Sequence, residues 1–337
     1  MDAIFGRAWL PVAHGTDLAE PGSYLATTAG GRNIFVVRGE DGEIRAFYNV
    51  CQHRAHRLLE GVGRLNRTIT CPYHAWTYDL QGALRGVPNG KEAAAIDRSC
   101  FGLAPVQTAL FAGFVTGCFD DDGDQPPANL REIESLLLRD HPQLPAMREV
   151  RRREAVLEAN WKNIIENYLE CYHCGVVHPS FGNFDMSTWK HLVGDGWSRQ
   201  GRVQPGPMTK TSAMAMSSAC RLSAWWQWSN IFWALEADTF IAVFHEPLEP
   251  GRALQTRLVY AASGEEDAEL AAFNELFDRV FQEDVSIVES IQRGYASPGY
   301  RGGALIEQPA ARAGWSERGI RHFQDLVRGA VGNQAPL

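Results

Sequence analysis

The chain has 337 residues, of which 45% are hydrophobic and 21% are charged, and its formal net charge at pH 7 is −8. This length is sufficient for two domains, and the negative net charge gives no basic surface for binding nucleic acid. No apolar run approaches the roughly 20 residues that a membrane-spanning helix requires, and the first residues lack the layout of a secretory signal. We therefore expect a globular protein that binds neither nucleic acid nor a membrane.

The first third of the sequence predicts short strands separated by glycine-containing turns. Runs rich in β-branched and aromatic residues predict strands at 24–28, 33–38, 44–48 and 110–115. Asp41-Gly42 lies between the second and third of these runs and is a good hairpin signal. We expect this part of the chain to be all-β.

An acidic stretch containing Gly and Pro, at 120–127, predicts the boundary between one domain over 1–119 and another over 120–337. Beyond it, helical patterns at 129–139, 160–172 and from 264 onward alternate with strand patterns at 148–157 and 223–245. The apolar spacing in the last helical segment indicates core packing. We predict an α+β fold, in which an all-β domain precedes a central antiparallel sheet flanked by helices.

Two loops after the first predicted strands carry residues that bind metals. Cys51 and His53 form a Cys-x-His pair, and Cys71 and His74 form a Cys-x-x-His pair after seventeen intervening residues. This is the ligand pattern of a Rieske [2Fe–2S] cluster, in which two thiolates bind one iron and two imidazoles bind the other. A Cys₂His₂ zinc site uses the same ligands, but zinc fingers usually place cysteines together and histidines together. The mixed pairs favour the Rieske cluster.

A second group of potential ligands follows the predicted helix 160–172. His173 and His178 could form part of a 2-His-1-carboxylate site, which binds ferrous iron and leaves positions open for O₂ and substrate. Asp284 is a candidate for the carboxylate, because the apolar pattern around it directs it inward, where an unpaired carboxylate is costly. By spacing alone, Glu283 remains an alternative.

The seven cysteines show no spacing typical of a disulfide framework, which predicts a reducing, cytoplasmic location. Cys171 and Cys174 form a Cys-x-x-Cys pair that is compatible with redox or metal chemistry. We interpret them instead as two small buried side chains on a helix.

The chain resembles the α subunit of Rieske non-haem iron oxygenases over almost its whole length. The motifs that carry this resemblance are Cys51-Gln52-His53-Arg54, Cys71-Pro72-Tyr73-His74-Ala75-Trp76, Asn160-Trp161-Lys162, Glu166-Asn167-Tyr168, His173-x₄-His178-Pro179 and Glu283-Asp284. The resemblance implies an N-terminal all-β Rieske domain and a C-terminal α+β catalytic domain. It also implies two cofactors: a [2Fe–2S] cluster on Cys51, His53, Cys71 and His74, and mononuclear Fe(II) on His173, His178 and Asp284.

The resemblance further implies how electrons reach the iron. Family members are commonly homotrimers, in which the Rieske cluster of one subunit supplies the iron of its neighbour. Glu170 would bridge the two centres by bonding to His74 and His173 of adjoining subunits, and Asn167 would be a second catalytic residue. Since the sequence has no glycine-rich nucleotide fingerprint, the electrons would come from a separate NAD(P)H-dependent flavin and iron–sulfur reductase.

Glu170 replaces the aspartate of many ring-hydroxylating members. Together with the Glu166–His173 segment, Asp284 followed by Glu289–Gly294, and His322-Phe323, it makes the chain similar to the branch of choline, glycine betaine, carnitine and proline betaine monooxygenases. The resemblance implies O₂-dependent hydroxylation or N-demethylation of a small quaternary-ammonium substrate. Aromatic faces attract such cations by roughly 0.5–2 kcal/mol per contact, although aromatic residues in strands are usually core. The candidate pocket residues are Trp226, Trp228, Phe232 and Trp233.

Two alternatives remain at this point. Ser229-Asn230 stands where the branch often has Pro-Asn, so a ring-hydroxylating oxygenase acting on an aromatic acid or heterocycle is the alternative within the same enzyme class. A Rieske ferredoxin that only carries electrons is the alternative from another class. It would require only about 100 residues, one small domain, and would leave the last two-thirds of the chain unexplained.

Overall fold

The computed structural model describes residues 1–88, 96–120, 126–179, 189–202, 223–236, 238–307 and 316–332. The chain divides into two compact units, Met1–Ala146 and Met147–Leu337. Among the helices of the described ranges, none combines the length and the apolar character needed to cross a membrane.

Antiparallel strands build the first unit, as the sequence predicts. They are Leu10–His14 (β1), Ser23–Ala29 (β2), Arg32–Arg38 (β3), Ile44–Tyr48 (β4), Val62–Arg64 (β5), Thr68–Thr70 (β6), Thr77–Asp79 (β7), Leu84–Gly86 (β8), Pro105–Phe111 (β9) and Phe114–Cys118 (β10). One sheet has the order β1-β10-β9-β4-β3-β2-β5, and a smaller sheet has the order β6-β7-β8. Gly42 supplies the left-handed residue, at φ 82°, in the predicted turn between β3 and β4.

The strand predicted over 110–115 is wrong in one respect, because the chain reverses inside it. β9 ends at Phe111 and β10 begins at Phe114, and the intervening Ala112 and Gly113 have φ of 46° and 95°. A Cβ on Gly113 would lie 2.6 Å from the Cα of Pro145, so only glycine fits here. The apolar run therefore contains a tight hairpin that one glycine marks.

Helices in the first unit are Asp2–Phe5 (α1) and Ala128–Asp140 (α2). The Glu134 carboxylate of α2 accepts a hydrogen bond from the N–H of Ala112 at 2.8 Å, which ties the helix to the β9–β10 turn. The compact unit consequently extends to residue 146. The functional domain boundary expected after residue 119 stays a prediction.

The second unit has an antiparallel sheet flanked by helices, and the predicted α+β class is confirmed. Its strands are Arg148–Leu157 (β11), Trp189–Gly194 (β12), Trp197–Arg202 (β13), Ser223–Gln227 (β14), Ile231–Glu236 (β15), Thr239–Glu249 (β16) and Arg252–Ala261 (β17), in the order β11-β17-β16-β15-β14-β13-β12. The described helices are Trp161–Tyr168 (α3), Cys174–Val177 (α4), Ala268–Tyr295 (α5) and Arg318–Val331 (α6). The single strand pattern predicted at 223–245 is thus divided among three strands, β14, β15 and β16.

Helix α5 covers one face of this sheet. Its apolar stripe, formed by Phe273, Phe277 and Phe281, packs in one core cluster with Phe232 and Val259 of the sheet. The helical spacing in the sequence therefore does indicate core packing. Asp284 lies one turn beyond Phe281 on α5 and is only 6% exposed, so the same packing that buries the stripe directs this carboxylate inward.

Candidate metal centres

The two loops with the predicted cluster ligands share one backbone arrangement. In each, the cysteine N–H donates to the carbonyl five residues later, at 2.8 Å. The N–H four residues later donates to the cysteine carbonyl, at 3.0 Å for Cys51 and 2.9 Å for Cys71. Ala55 and Ala75 each have φ 55°, a left-handed conformation that side-chain-bearing residues seldom adopt. The two loops therefore have the same backbone conformation, although their ligand spacings differ.

These turns bring the four predicted cluster ligands together. The Cys51 and Cys71 side chains are buried, at 3% and 2% exposure. The His53 and His74 rings have centroids 4.6 Å apart, and His53 stacks on Trp76 at 4.7 Å. His53 is exposed. The thiols thus face the core of the unit while an imidazole lies at its surface.

The Tyr78 hydroxyl lies beside the first thiol, that of Cys51. Its Oη accepts a hydrogen bond from the Gln52 N–H at 3.1 Å and lies 3.3 Å from Cys51 Sγ. Because the hydroxyl accepts from Gln52, its own hydrogen is available to the sulfur. Burial raises the pKa of the Cys51 thiol, so a thiolate here requires a compensating cation.

The residues of the first site fit a [2Fe–2S] cluster. They offer two buried thiols and two adjacent imidazoles, which is the donor set of a Rieske centre. His74 Nδ1 is buried and has no hydrogen-bond partner within the described part of the chain. A buried nitrogen in this state is costly unless something binds it, and iron would do so.

The second site begins where α3 ends. The Asn160 side chain caps the start of α3 by accepting from Lys162 N at 3.0 Å. The helix ends at Tyr168, four residues earlier than predicted, and the chain turns before α4. Gln292 Oε1 of α5 accepts from Asn160 N at 2.8 Å and from Asn163 Nδ2 at 2.9 Å, which fixes α3 against α5. The segment after α3 is thereby held beside Asp284.

His173, His178 and Asp284 converge on one point. The Nε2 atoms of the two histidines lie 3.3 Å apart. Asp284 Oδ1 lies 3.5 Å from His173 Nε2 and 3.3 Å from His178 Nε2. Ligands about 2.0–2.2 Å from a shared metal ion lie about 3.0–3.5 Å from one another. Asp284 Oδ1 is buried and makes no hydrogen bond within the described residues. The three side chains fit a mononuclear metal site.

Two further carboxylates orient the histidines. Glu170 Oε1 contacts His173 Nδ1, and Glu283 Oε2 lies 2.9 Å from His178 Nδ1. Since an ionised carboxylate only accepts hydrogen bonds, each Nδ1 carries the hydrogen. Each Nε2 is therefore left to face the metal position, and this arrangement is common among histidines that bind metals.

The charges at this point favour a cation. Burial lowers the pKa of His173, but Asp284 and Glu170 outweigh it and raise the pKa to about 9. Burial raises the pKa of Asp284, but the two histidines lower it overall. With Glu283 included, three carboxylates surround two imidazoles, and a divalent metal ion would balance this negative charge.

The backbone after α3 also holds Glu170 itself. Its Oε2 accepts hydrogen bonds from the N–H groups of Tyr172 and His173, the latter at 3.3 Å. Asn167, which was predicted for the same region, is buried on α3. No hydrogen bond in the described structure joins its side chain to the three converging residues, and its role stays a prediction.

The interpretation of Cys171 and Cys174 as buried thiols on a helix is wrong in two respects. The two residues form a disulfide with Cα atoms 5.0 Å apart, a normal separation for this bond. Cys171 lies in the turn before α4, and Cys174 is the first residue of α4. Both are buried, as expected. The disulfide brackets His173.

The structure brings together only some of the four predicted pocket aromatics. Trp226 and Phe232 are paired across β14 and β15 and lie on one face of the sheet, whereas Trp233 lies on the other. Side chains alternate along a strand, so Phe232 faces the helices while Trp233 faces the opposite side of the sheet. Phe232 stacks on Tyr168 at 5.0 Å, whereas Trp233 stacks on Phe240 at 5.3 Å. Trp226 and Trp228 both pack against Phe323 of α6, at 5.6 and 6.1 Å.

Tyr168 is the site residue that sequence reasoning passed over. Its ring contacts Phe232 and lies 6.0 Å from Phe281, one turn before Asp284. Gln255 Nε2 donates to Tyr168 Oη at 3.0 Å and lies 3.1 Å from His245 Nε2. The sequence signal that points to Tyr168 is the Glu166-Asn167-Tyr168 motif, of which it is the last residue.

Comparisons with known proteins match both parts of the chain to known domains. The Rieske [2Fe-2S] domain model matches residues 8–104, and the model for the ring hydroxylating alpha subunit (catalytic domain) matches residues 144–333. The carnitine monooxygenase oxygenase subunit of Acinetobacter pittii is 34% identical over 330 residues, covering 97% of this chain and 89% of that protein.

Solved structures extend the comparison to the fold. The solved structure of a quaternary ammonium Rieske monooxygenase, described with carnitine oxidation by gut microbiota and inter-subunit electron transfer, has a TM-score of 0.89 at 32% identity. The match covers 98% of this chain and 90% of that one. Naphthalene 1,2-dioxygenase from Rhodococcus, at 21% identity and a TM-score of 0.81, shares the fold.

The two matched domains and the two donor sets define an oxidoreductase with a Rieske cluster and a mononuclear iron. The chain belongs to the family of ring hydroxylating oxygenase alpha subunits and is a Rieske-type oxygenase component. The predicted enzyme class and both predicted cofactors are thereby confirmed. A structural Cys₂His₂ zinc site is excluded, because the Rieske [2Fe-2S] domain model matches the residues that contain the four ligands. A stand-alone Rieske ferredoxin is excluded, because the catalytic-domain match covers more than half of the chain.

Proposed function

We propose that this oxygenase component hydroxylates or N-demethylates a small quaternary-ammonium or betaine-like substrate. The observation that supports this most is the aromatic group Tyr168, Phe232 and Phe281, which lies beside the metal site and is called here the aromatic wall. One face of the Phe281 ring is already covered by the Arg257 guanidinium, whose carbon lies 4.4 Å from the ring centre, so the substrate cation would lie against the other ring faces of this wall. The relative that acts on carnitine supports the same substrate class.

The roles of the metal ligands are part of this proposal. Cys51, His53, Cys71 and His74 would hold the cluster, and His173, His178 and Asp284 would hold the iron. The cluster supplies electrons, and the iron supplies O₂ activation and C–H oxidation. Glu170 and Glu283 keep the hydrogens on both Nδ1 atoms, so that both Nε2 atoms stay directed at the iron position.

The aromatic wall would orient the substrate. Tyr168 and Phe232 stack at an interplanar angle of 26°, and such faces attract a quaternary ammonium group by roughly 0.5–2 kcal/mol per contact. Their apolar rings also exclude water from the position where the methyl groups would lie. A carbon next to the cationic nitrogen would thereby be held near the metal site.

We also infer the assembly around this component. Its electrons would come from a separate NAD(P)H-dependent flavin and iron–sulfur reductase, in the cytoplasm. The subunits would form a homotrimer in which Glu170 of one subunit approaches His74 of the next. The solved relative described with inter-subunit electron transfer supports this arrangement.

A single-turnover experiment tests the substrate class without the reductase. The protein is reduced chemically and mixed with O₂ and choline, glycine betaine, carnitine or benzoate in separate reactions. We expect formaldehyde or another aldehyde from a quaternary amine, and no product from benzoate. Product from benzoate alone would instead establish the ring-hydroxylating alternative. The Asp284→Ala protein, which should keep its cluster, is the matched blank.

A further inference from the structure

The Cys174 sulfur lies at the proposed iron site, although neither the family motif nor the mechanism uses it. Its Sγ is 4.0 Å from His173 Nε2. Potential ligand atoms of Cys174, His173 and His178 all lie within 4.8 Å of one another. Asp284 Oδ1, 3.3 Å from His178 Nε2, is buried and makes no hydrogen bond among the described residues. Three potential ligand atoms, from Cys174, His173 and His178, thus lie close together, and the Asp284 carboxylate lies beside the two histidines.

The disulfide determines whether this sulfur can bind a metal. While Sγ of Cys174 is bonded to Sγ of Cys171, it is not a thiolate and is a poor ligand. A dithiol reductant can break the S–S bond, giving two cysteine thiols and one oxidised dithiol by transfer of two electrons and two protons. Binding of the Cys174 thiol to a divalent metal then forms one metal–sulfur bond and releases its proton to solvent.

We propose that opening the Cys171–Cys174 disulfide makes Cys174 a fourth ligand of the metal site. Two imidazoles and one carboxylate leave positions open on ferrous iron. Two imidazoles, one carboxylate and one thiolate form the closed four-ligand set that suits tetrahedral zinc. The redox state of this pair therefore selects between an open iron site and a closed zinc-type site. This inference depends on the metal ligands proposed above.

Two single substitutions separate the role of the thiol from the loss of the disulfide. Cys171→Ala and Cys174→Ala both remove the S–S bond, but only Cys171→Ala leaves a thiol beside the histidines. Mononuclear iron is removed with a chelator and replaced by Zn²⁺, while the cluster stays in place. X-ray absorption at the zinc edge then reports the zinc ligands alone, since the cluster contains only iron.

The expected results differ between the proteins. Cys171→Ala should show one sulfur about 2.3 Å from zinc, whereas Cys174→Ala should show nitrogen and oxygen ligands only. Wild-type protein with its disulfide verified by peptide mass spectrometry should resemble Cys174→Ala. The visible spectrum of the cluster shows whether each protein is folded. If Cys171→Ala loses this spectrum, Cys171→Ser is measured in its place.

Two outcomes would overturn the inference. One is the absence of sulfur around zinc in the folded Cys171 variants, and the other is an equal sulfur contribution in Cys174→Ala. Failure of the ligand assignment itself gives a different result, in which no protein binds one zinc per chain at this site. The substrate proposal is tested separately, by product formation in iron-loaded protein whose disulfide is intact.

Discussion

Glu283 and Asp284 are adjacent in the sequence and contact opposite nitrogens of His178. Glu283 Oε2 lies 2.9 Å from Nδ1, and Asp284 Oδ1 lies 3.3 Å from Nε2. One carboxylate therefore orients the ring from outside, while the other shares the proposed metal position. The choice between these two residues, which spacing leaves open, becomes a division of roles in the structure.

This division predicts different effects on iron content. Asp284→Ala removes a ligand, so the protein should fall from three irons per chain to the two of the cluster. Glu283→Ala removes only the support of His178 and should weaken iron binding by about 10–100-fold. Iron analysis of dialysed proteins, beside the visible spectrum of the cluster, measures both. Loss of the cluster together with the third iron would contradict the ligand assignment.

Glu170 should affect turnover more than metal content. Its carboxylate holds His173 Nδ1 and two backbone N–H groups, and under the proposal it also faces the neighbouring subunit. Glu170→Ala should retain both metals at saturating iron but give no product when the reductase supplies electrons. Rapid-mixing spectra should show a cluster that is reduced and then fails to reoxidise with substrate and O₂. Normal reoxidation in this variant would remove Glu170 from the electron route.

Tyr78 should raise the reduction potential of the cluster. A hydrogen bond to a ligating sulfur stabilises the reduced, more negative state, so Tyr78→Phe should lower the potential by about 40–60 mV, corresponding to about 1 kcal/mol for one electron. Tyr73→Phe is the matched control, because Tyr73 lies in a ligand loop but is 52% exposed. Spectroelectrochemical titration measures both variants. Equal potentials for Tyr78→Phe and wild type would show that this hydroxyl does not reach the bound cluster.

The two faces of β15 should differ in substrate binding. Phe232→Ala removes part of the aromatic wall and should raise the KM for a quaternary amine by about 2- to 30-fold, equivalent to the roughly 0.5–2 kcal/mol of one cation–π contact. Trp233→Ala removes a fully buried ring on the opposite face, so it should cost about 3–5 kcal/mol of stability with little change in KM. Steady-state kinetics and urea unfolding separate these effects. A reversal of the two KM effects would place the substrate on the other face of the sheet.

His191 should make the second unit sensitive to acid. Its Nδ1 lies 3.1 Å from the Ser316 carbonyl, and burial lowers its pKa from 6.5 to about 4. Between these values the unfolded chain binds a proton that the folded chain does not, so stability rises with pH across this window. Lowering the pH from 7 to 5.5 should cost wild type about 1 kcal/mol more than His191→Gln. Urea unfolding at both pH values checks this, and equal losses would show that His191 is protonated in the folded protein.

Much of the cluster site was predictable, because its signal is local. Metal chemistry restricts the ligands to Cys and His, and two short turns hold them, so the spacing around Cys51 and Cys71 is visible in the sequence. The structure adds what the spacing does not contain: the matching backbone of the two turns and the hydroxyl of Tyr78 near Cys51 Sγ. The latter contact joins residues 27 positions apart.

The catalytic site was predictable only in part, because its members come from distant segments. The sequence by itself determined the ligand types, the inward direction of Asp284 and the strand and helix classes, since these depend on local spacing and periodicity. Only the tertiary structure decided that Tyr168 meets Phe232, that Trp233 faces away and that Cys171 pairs with Cys174. Such contacts depend on how the chain closes its loops and packs α3 and α5 on one face of a sheet, which no short window of residues specifies.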